Sequence, residues 1–179
     1  MKVRADHDAV RDHLEALEAE PLGSVTQTDT YYDAPHRDFA ETDEALRVRH
    51  EDPATGPAHA ALTYKGPLVE ADSKTRSEAE TEVGDEAAVR EILVGVGFEP
   101  AATVEKERER YRLADCVVTL DAVTGLGEFV EVEFVEAVAE AGLEDARGEV
   151  FAAVEALGLD PARQVRTSYL GLLLGEASP

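Results

Sequence analysis

Apolar and polar residues alternate at a period of two along much of this chain, and that period is typical of β-strands. Residues 24–32 are also rich in β-branched and aromatic side chains, which favour strands. The pattern therefore predicts strands over residues 24–32, 45–50, 60–65, 74–83, 104–113, 117–121 and 127–134, and the end of a strand over residues 1–4.

Apolar residues spaced three and four apart predict four amphipathic helices outside these segments. Asp6 or Asp8 can cap the first helix, and Asp85 can cap the second. Residues 143–157 form the third, and Pro161 is expected to open the fourth. The apolar stripes are Val10, Leu14 and Leu17, then Val89, Ile92, Leu93 and Val96, then Val150, Phe151, Val154 and Leu157, and finally Val165, Tyr169, Leu170, Leu172 and Leu173.

The chain has the organisation of one domain over residues 1–179. Hydrophobic residues make up 44% of it, enough for a core, and no linker, repeat or low-complexity tract divides it. No apolar run is long enough to span a bilayer, and the first residues do not form a signal segment. The single cysteine, Cys116, excludes an internal disulfide and fits a cytoplasmic protein.

Acidic residues dominate the charge. The chain has 39 Asp and Glu against 17 Lys and Arg, for a formal net charge of −22 at pH 7. This sign disfavours nucleic acid as a partner, because phosphate binding needs a basic face. The acidic residues are dispersed along a chain that keeps its apolar content, so we expect a folded, halophilic protein rather than a disordered one.

Basic residues nevertheless concentrate on particular faces of the predicted strands. These faces carry eight basic and five acidic residues, namely Lys2, Arg47, Arg49, Lys65, Arg76, Lys106, Arg108 and Arg110, with Glu78, Glu80, Asp121, Glu131 and Glu133. Solvent covers such faces in an ordinary sandwich, whereas a closed barrel can hold them inside, with helices on its apolar outer faces. Because a face drawn from so acidic a chain should be acidic, the sign favours an interior that binds a polyanion and a divalent cation.

Residues 127–134 place two carboxylates on one strand face. Glu131 and Glu133 point the same way, opposite Val130 and Val132. Two carboxylates at this spacing can hold one hard divalent cation. An acidic edge strand in water is the alternative that the residues alone leave open.

Seven motifs, in order and covering nearly the whole chain, resemble those of the CYTH family. This family contains the class IV adenylate cyclases and thiamine triphosphatases, within the triphosphate tunnel metalloenzymes. Each motif alone is weak, and their order carries the resemblance. They are Leu46-Arg-Val-Arg49, Leu62-Thr-Tyr-Lys-Gly-Pro67, Arg76-Ser-Glu-Ala-Glu80, Val104-Glu-Lys-Glu-Arg108 with Tyr111, Leu120-Asp121, Gly127-Glu-Phe-Val-Glu-Val-Glu133 and Thr167-Ser-Tyr-Leu170.

The resemblance implies an α+β fold: a closed eight-stranded antiparallel β-barrel, the triphosphate tunnel, with amphipathic helices packed outside. It also implies a metal-dependent phosphotransfer enzyme that uses Mg²⁺ or Mn²⁺. By motif position, the substrate-binding residues would be Lys2, Arg47, Arg49, Lys65, Arg76, Lys106 and Arg108. The metal ligands would be Glu131, Glu133 and Asp121, the catalytic residues Lys106, Arg108 and Asp121, and the supporting residues Glu78 and Glu80.

The first strand departs from the family pattern, which opens with Glu-x-Glu-x-Lys. Only the lysine is present, as Lys2, so this strand is expected to be truncated. A true start upstream of Met1 would restore two metal-binding glutamates and avoid an unpaired barrel edge.

The resemblance favours a class IV adenylate cyclase, which converts ATP to cyclic AMP and pyrophosphate. A triphosphatase acting on thiamine triphosphate or inorganic tripolyphosphate is the alternative, because no residue distinguishes a ribose hydroxyl from water as the nucleophile. A non-catalytic binder of polyphosphate or nucleotide is a third possibility if the upstream glutamates are absent. The expected partner is a small molecule bearing a triphosphate, without nucleic acid or membrane, and the protein is expected to be a monomer or homodimer.

Overall fold

The computed structural model describes residues 1–70, 75–135 and 142–175, and it leaves the side chains of residues 40, 68–70, 75, 76 and 143 undescribed. Over the described residues the chain forms eight strands and five α-helices. In chain order they are β1 (Lys2–Arg4), α1 (His7–Ala16), β2 (Glu20–Asp33), α2 (Phe39–Thr42), β3 (Ala45–Pro53), β4 (His59–Glu70), β5 (Thr75–Val83), α3 (Glu86–Gly95), β6 (Glu99–Leu113), β7 (Cys116–Val123), β8 (Gly127–Phe134), α4 (Leu143–Ala156) and, after a 3-10 turn (Pro161–Arg163), α5 (Tyr169–Leu174).

The strands form one sheet in the order β1-β8-β7-β6-β2-β3-β4-β5, and each pair with a defined register is antiparallel. The predicted α+β class is therefore confirmed. Because β1 and β5 are the ends of this order, hydrogen bonds among the described residues do not close the sheet into the predicted barrel.

The reason for the open order lies at β1. One edge of this short strand pairs with β8, where Lys2 lies opposite Glu131. The other edge is covered by the segment after the 3-10 turn. There Val165 N donates to Lys2 O at 2.7 Å, and Val3 forms a bridge with Gln164. The backbone groups of β1 that could pair with another strand and close a barrel therefore already have hydrogen-bond partners.

The chain divides into two compact units. The first comprises Met1–Val25 and Lys106–Pro179, and the second comprises Thr26–Glu105. The predicted single domain over residues 1–179 stays a prediction.

In the first unit, α1 and α4 pack their apolar residues on β1, β7 and β8. The core includes Val3, Val10, Leu14, Val118, Leu120, Val130, Val132, Val154 and Leu157.

The second unit has a smaller core of its own. Tyr32 of β2 and Leu46 and Val48 of β3 pack with Phe39 of α2 and Leu93 of α3. Aromatic contacts extend this core, because the ring of Phe39 lies 6.4 Å from those of both Tyr64 and Phe98.

The strand faces opposite these cores carry the polar residues, as the alternation predicts. On β7, Val118 and Leu120 lie in the core, whereas Thr119 and Asp121 lie on the other face. These two polar residues are also buried, at 5% and 0% exposure. Burial of a polar face indicates that it is not merely a solvated surface, because buried polar groups require partners.

The second predicted helix is present, but its stripe is wrong in part. Val89 and Leu93 of α3 pack against the core of the second unit. Ile92 and Val96 are 60% and 62% exposed. Only the side of the helix on which Val89 and Leu93 lie, one turn apart, contacts the core, so the predicted stripe is too wide.

The fourth predicted helix begins later than expected. Pro161 opens only the 3-10 turn, and α5 starts at Tyr169, after Ser168. Ser168 Oγ accepts a hydrogen bond from Gly171 N at 3.0 Å, which is the contact of a strong N-cap. A proline suits the first position of either helix type, so it does not predict how long the helix after it will be. None of the helices in the described ranges is both long and apolar enough to cross a membrane.

Candidate functional site

Arg108 of β6 is held by two carboxylates on neighbouring strands. Its Nε and Nη2 donate to the two oxygens of Asp121 at 2.7 and 2.6 Å, which fixes the plane of the guanidinium. Nη2 also donates to Glu131 Oε2 at 3.1 Å. Strand register produces this contact, because Arg108 lies opposite Asp121 across β6 and β7, and Glu131 lies opposite Thr119 across β7 and β8.

The Arg108 contact is largely excluded from water. The side chain of Asp121 is 0% exposed and that of Arg108 is 18% exposed. Burial would lower the pKa of Arg108, but the hydrogen bonds and charge of Asp121, together with the charge of Glu131, outweigh burial and raise this pKa. Arg108 therefore remains a cation with a fixed orientation.

Tyr169 contacts the same carboxylate from α5. Its hydroxyl donates to Asp121 Oδ2 at 2.8 Å, and its ring meets Phe129 edge-on with centroids 5.0 Å apart. Burial, followed by the charges of Glu131 and Asp121, raises the pKa of Tyr169. The phenol therefore stays protonated and acts as a donor.

Two lysines lie near the ring of Tyr169. Lys2 Nζ is 4.3 Å and Lys106 Nζ is 5.6 Å from its centroid. Lys106 is only 5% exposed, and lysines buried to this extent are almost always paired. We define the first cluster, which lies in the first unit, as Lys2, Lys106, Arg108, Asp121, Glu131 and Tyr169.

A second cluster lies in the second unit, around Asp29 of β2. Arg49 Nε and Nη2 donate to the two oxygens of Asp29 at 2.6 and 2.7 Å, and Arg47 Nη1 lies 3.5 Å from Asp29 Oδ2. The carboxylate is 1% exposed. Burial, followed by the charge of Asp29, raises the pKa of Tyr31, so this phenol is also protonated. We define the second cluster as Asp29, Tyr31, Arg47 and Arg49.

Arg47 is only partly satisfied within this cluster. Its Nε is buried and has no hydrogen-bond partner among the described residues. A buried donor without a partner costs about 1–3 kcal/mol. An oxygen atom of a bound anion would satisfy this donor and recover part of that cost.

Polar pairs between β4 and β5 accompany the second cluster in the same unit. Lys65 Nζ donates to Glu78 Oε2 at 3.0 Å, and Thr63 Oγ1 donates to Glu80 Oε2 at 2.7 Å. The register places these partners directly opposite each other. Glu78 thus lies where it can support Lys65, in line with its predicted role. The observed partner of Glu80 is a threonine and not a basic residue.

The predicted site residues fall into separate groups. The first cluster contains five of them: Lys2, Lys106, Arg108, Asp121 and Glu131. The second cluster contains Arg47 and Arg49, and a third group is the pair of Lys65 with Glu78. Glu133 lies exposed on β8, and the side chain of Arg76 is outside the described residues. The roles assigned to these residues stay predictions.

The carboxylates of the first cluster have the chemistry of ligands for Mg²⁺ or Mn²⁺. Both Asp121 and Glu131 accept from Arg108 Nη2, so their oxygens lie close to one point. Hard oxygen ligands suit these ions, and Mg²⁺ commonly uses one or two protein carboxylates with phosphate and water. Among the described residues, however, no group of three or more His, Cys, Asp or Glu could hold a metal ion. The predicted set of Glu131, Glu133 and Asp121 therefore stays a prediction.

Sequence reasoning missed Asp29, Tyr31 and the polar role of Tyr169. The signal for the first two was available, because residues 27, 29 and 31 alternate on one face of a predicted strand just as the basic residues do. The helical spacing places Tyr169 in an apolar stripe and gives no sign of a polar contact. Its hydroxyl contact with Asp121 depends on where α5 begins, which the pattern did not predict.

These observations define a class of protein: an α+β fold whose antiparallel sheet carries partly buried arginines oriented by carboxylates, which suits a polyanion. The family model of the CYTH domain matches residues 1–169, and the chain belongs to the CYTH family.

Similar proteins agree with this assignment. A Methanocaldococcus jannaschii protein with the provisional name adenylate cyclase is 34% identical over 168 residues, 93% of this chain and 92% of that protein. A solved Pyrococcus horikoshii structure is 34% identical to this chain, with a TM-score of 0.84. The match covers 98% of this chain and 97% of the P. horikoshii chain. A Hippeastrum protein described as having a dominant triphosphatase activity is similar in fold, at 18% identity and a TM-score of 0.71, covering 99% of this chain and 95% of its own.

Proposed function

We propose that this protein is a metal-dependent enzyme that acts on a small molecule bearing a triphosphate, most like a class IV adenylate cyclase. The observation that carries the proposal is the buried Nε of Arg47, which has no hydrogen-bond partner among the described residues and lies in the same cluster as Arg49, already oriented by Asp29. A triphosphate supplies many acceptor oxygens, and charge-assisted hydrogen bonds to arginine are strong. The provisional name of the M. jannaschii relative supports the cyclase reaction.

The proposed phosphate-binding groups come from both clusters and from β4–β5. Arginine side chains bind phosphate oxygens at two points, and lysines bind them as point charges. The residues proposed to bind phosphate are Lys2, Arg47, Arg49, Lys65, Arg76, Lys106 and Arg108, with Glu78 and Glu80 as supports.

In the cyclase reaction the ribose 3′-hydroxyl oxygen attacks the α-phosphorus and its proton passes to water. The bond between the α-phosphorus and the oxygen that bridges to the β-phosphate breaks, and pyrophosphate leaves. Lys106 and Arg108 are proposed to stabilise the negative charge that develops on the phosphates. Glu131, Glu133 and Asp121 are proposed to hold Mg²⁺ or Mn²⁺, which would neutralise phosphate charge and orient the reacting groups.

Hydrolysis of a triphosphate is the second candidate reaction. Water would replace the ribose hydroxyl as nucleophile, and the same cationic groups would stabilise the phosphates. The Hippeastrum protein carries its described triphosphatase activity on a similar fold, so the fold alone does not select the reaction. A binder without catalysis needs only the cationic groups.

A product assay separates these functions. The protein is incubated with ATP, thiamine triphosphate or inorganic tripolyphosphate, with Mg²⁺, Mn²⁺ or excess chelator, at low and high salt. Cyclic AMP with pyrophosphate identifies the cyclase, and released orthophosphate identifies the triphosphatase. Binding of tripolyphosphate without any product identifies the binder. Neither product nor binding under any of these conditions would overturn the proposal.

A further inference from the structure

Tyr169 makes polar or aromatic contacts with four other residues around the first cluster. Its hydroxyl reaches Asp121, its ring meets Phe129, and Lys2 and Lys106 lie over that ring. We propose that Tyr169 is the positioning residue of the first cluster, orienting the cations that are to bind phosphate. This inference rests on the proposed triphosphate function and adds a residue that the motif roles do not include.

The hydroxyl acts on Arg108 through Asp121. Asp121 Oδ2 accepts from Tyr169 at 2.8 Å and from Arg108 Nη2 at 2.6 Å, while Oδ1 accepts from Arg108 Nε at 2.7 Å. A carboxylate with one donor removed can rotate about its last side-chain bond, which is a soft torsion. Tyr169 therefore fixes the plane of the carboxylate, and that plane fixes the guanidinium.

The ring acts on the two lysines. The ammonium groups of Lys2 on β1 and Lys106 on β6 carry like charges and lie 4.3 and 5.6 Å from one ring centroid. The negative face of an aromatic ring attracts cations, so it offsets their repulsion. Lys2 is held twice by this segment, because its Nζ also donates to Thr167 O at 2.6 Å.

The chain itself is held firmly where Tyr169 lies. Ser168 caps α5, and the Tyr169 ring makes a T-shaped contact with the ring of Phe129, which is fully buried. A side chain supported in this way can orient others, since precise sites depend on the residues that support the contacting groups.

The test compares Tyr169→Phe, which removes only the hydroxyl, with Tyr169→Leu, which also removes the ring. Tyr111→Phe is the matched control, because it removes a phenol that donates to Glu109 Oε2 at 2.9 Å in the same unit, away from the first cluster. Tripolyphosphate affinity is measured by calorimetry without metal. We expect a loss of roughly tenfold for Tyr169→Phe. We expect roughly a further tenfold for Tyr169→Leu, and less than about twofold for the control.

A merely structural tyrosine would behave differently. Its loss would lower the melting temperature and the tripolyphosphate affinity together. Its effect on that affinity would also add to the effect of Asp121→Asn. A residue that acts through Asp121 gives non-additive effects on affinity in the double variant Tyr169→Phe, Asp121→Asn. Additive effects, or unchanged affinity in both Tyr169 variants, would overturn the inference.

A readout without ligand separates this inference from the proposed function. The Nε–H of Arg108 is followed by ¹⁵N NMR in the full chain, and its hydrogen exchange should accelerate in Tyr169→Phe but not in Tyr111→Phe. If the unmodified protein binds no tripolyphosphate and this exchange still accelerates, the triphosphate function fails and the positioning role stands. If the exchange does not change, the positioning role fails whatever the protein binds.

Discussion

Arg47 and Arg49 lie two residues apart on one strand face and differ in how they are held. Arg49 binds both oxygens of Asp29, whereas Arg47 makes one 3.5 Å ion pair with it. The buried Nε of Arg47 lacks a partner among the described residues. Arg47 also interacts with Tyr31 through a hydrogen bond and its charge, and its Nε remains a donor available for a ligand.

Arg47→Gln is therefore expected to weaken tripolyphosphate binding about tenfold or more, since it removes charge-assisted hydrogen bonds to phosphate. The melting temperature should change by less than about 3 °C, because Arg49 still neutralises Asp29. Calorimetric titration gives the affinity, and differential scanning calorimetry gives the melting temperature.

Arg110→Gln is the matched control for that change. It removes the same charge from an exposed arginine on β6. If phosphate is bound by contact, this variant should lose less than about twofold in affinity. Equal losses in the two variants would show that overall charge, and not the Arg47 contact, attracts the anion.

At the scale of residues, the sequence predicted the two arginines of the second cluster but missed Asp29, which orients Arg49 and pairs with Arg47. Arg47 and Arg49 stood out because basic residues are rare in this chain, with 17 Lys and Arg against 39 Asp and Glu. Asp29 did not stand out among so many acids. What separates it from the others is burial by its partners, and burial depends on pairing between strands rather than on local pattern.

At the scale of elements, period-two alternation predicted the polar and apolar faces of β3, β7 and β8. Register across a sheet depends on such faces, because a slip of one residue would exchange core and polar side chains. Closure of the sheet could not be predicted in this way. It depends on what covers the second edge of β1, and that is the backbone at Gln164 and Val165, a segment predicted as helix.

An ion-pair network joins α3 to the sheet of the second unit. Glu86 Oε2 lies 2.7 Å from His50 Nδ1 on β3, and Glu86 Oε1 accepts from Arg90 Nε and Nη2 at 2.8 and 2.6 Å. Burial would raise the pKa of Glu86, but the hydrogen bonds from Arg90 and His50 outweigh it, so the pKa lies below its usual value. The charged form of Glu86 therefore stabilises the fold.

A depressed carboxylate pKa has a definite sign in the pH dependence of stability. Its contribution is complete above the ordinary glutamate pKa of about 4.3 and is lost as the pH falls through the lower, folded-state value. Glu86→Gln is thus expected to lower the free energy of unfolding by about 1–2 kcal/mol at pH 7, and this difference should shrink steadily below about pH 4. Urea unfolding at a series of pH values measures it.

Glu91→Gln is the control for this experiment, because Glu91 lies exposed on the same helix. It should change stability by no more than about 0.5 kcal/mol at any pH. A Glu86 variant whose deficit is the same at pH 3 and pH 7 would contradict the assigned role of its charge.

For the whole molecule, the main feature is a net charge of −22, although the arginines of the two clusters are only 12–18% exposed. Self-repulsion among surface charges destabilises a compact state, and salt screens it. The Debye length falls from about 10 Å at 0.1 M to about 3 Å at 1 M, so distant repulsion disappears while direct contacts remain. Stability and ligand binding should therefore respond differently to salt.

Raising NaCl from 0.1 to 2 M is expected to increase the melting temperature by roughly 5–10 °C, because screening relieves a repulsion of a few kcal/mol. A triple variant, Glu15→Gln, Glu91→Gln and Glu155→Gln, removes three exposed carboxylates and should show a smaller rise. If the melting temperature of the variant rises as much as that of the parent chain, the salt acts through burial of apolar surface instead.

Tripolyphosphate binding followed over the same range of NaCl should weaken but persist at 2 M, since side chains in direct contact with phosphate are screened least. Loss of all binding at that salt would mean that the anion is attracted by a diffuse field and is not held by contacts with the clustered arginines and lysines.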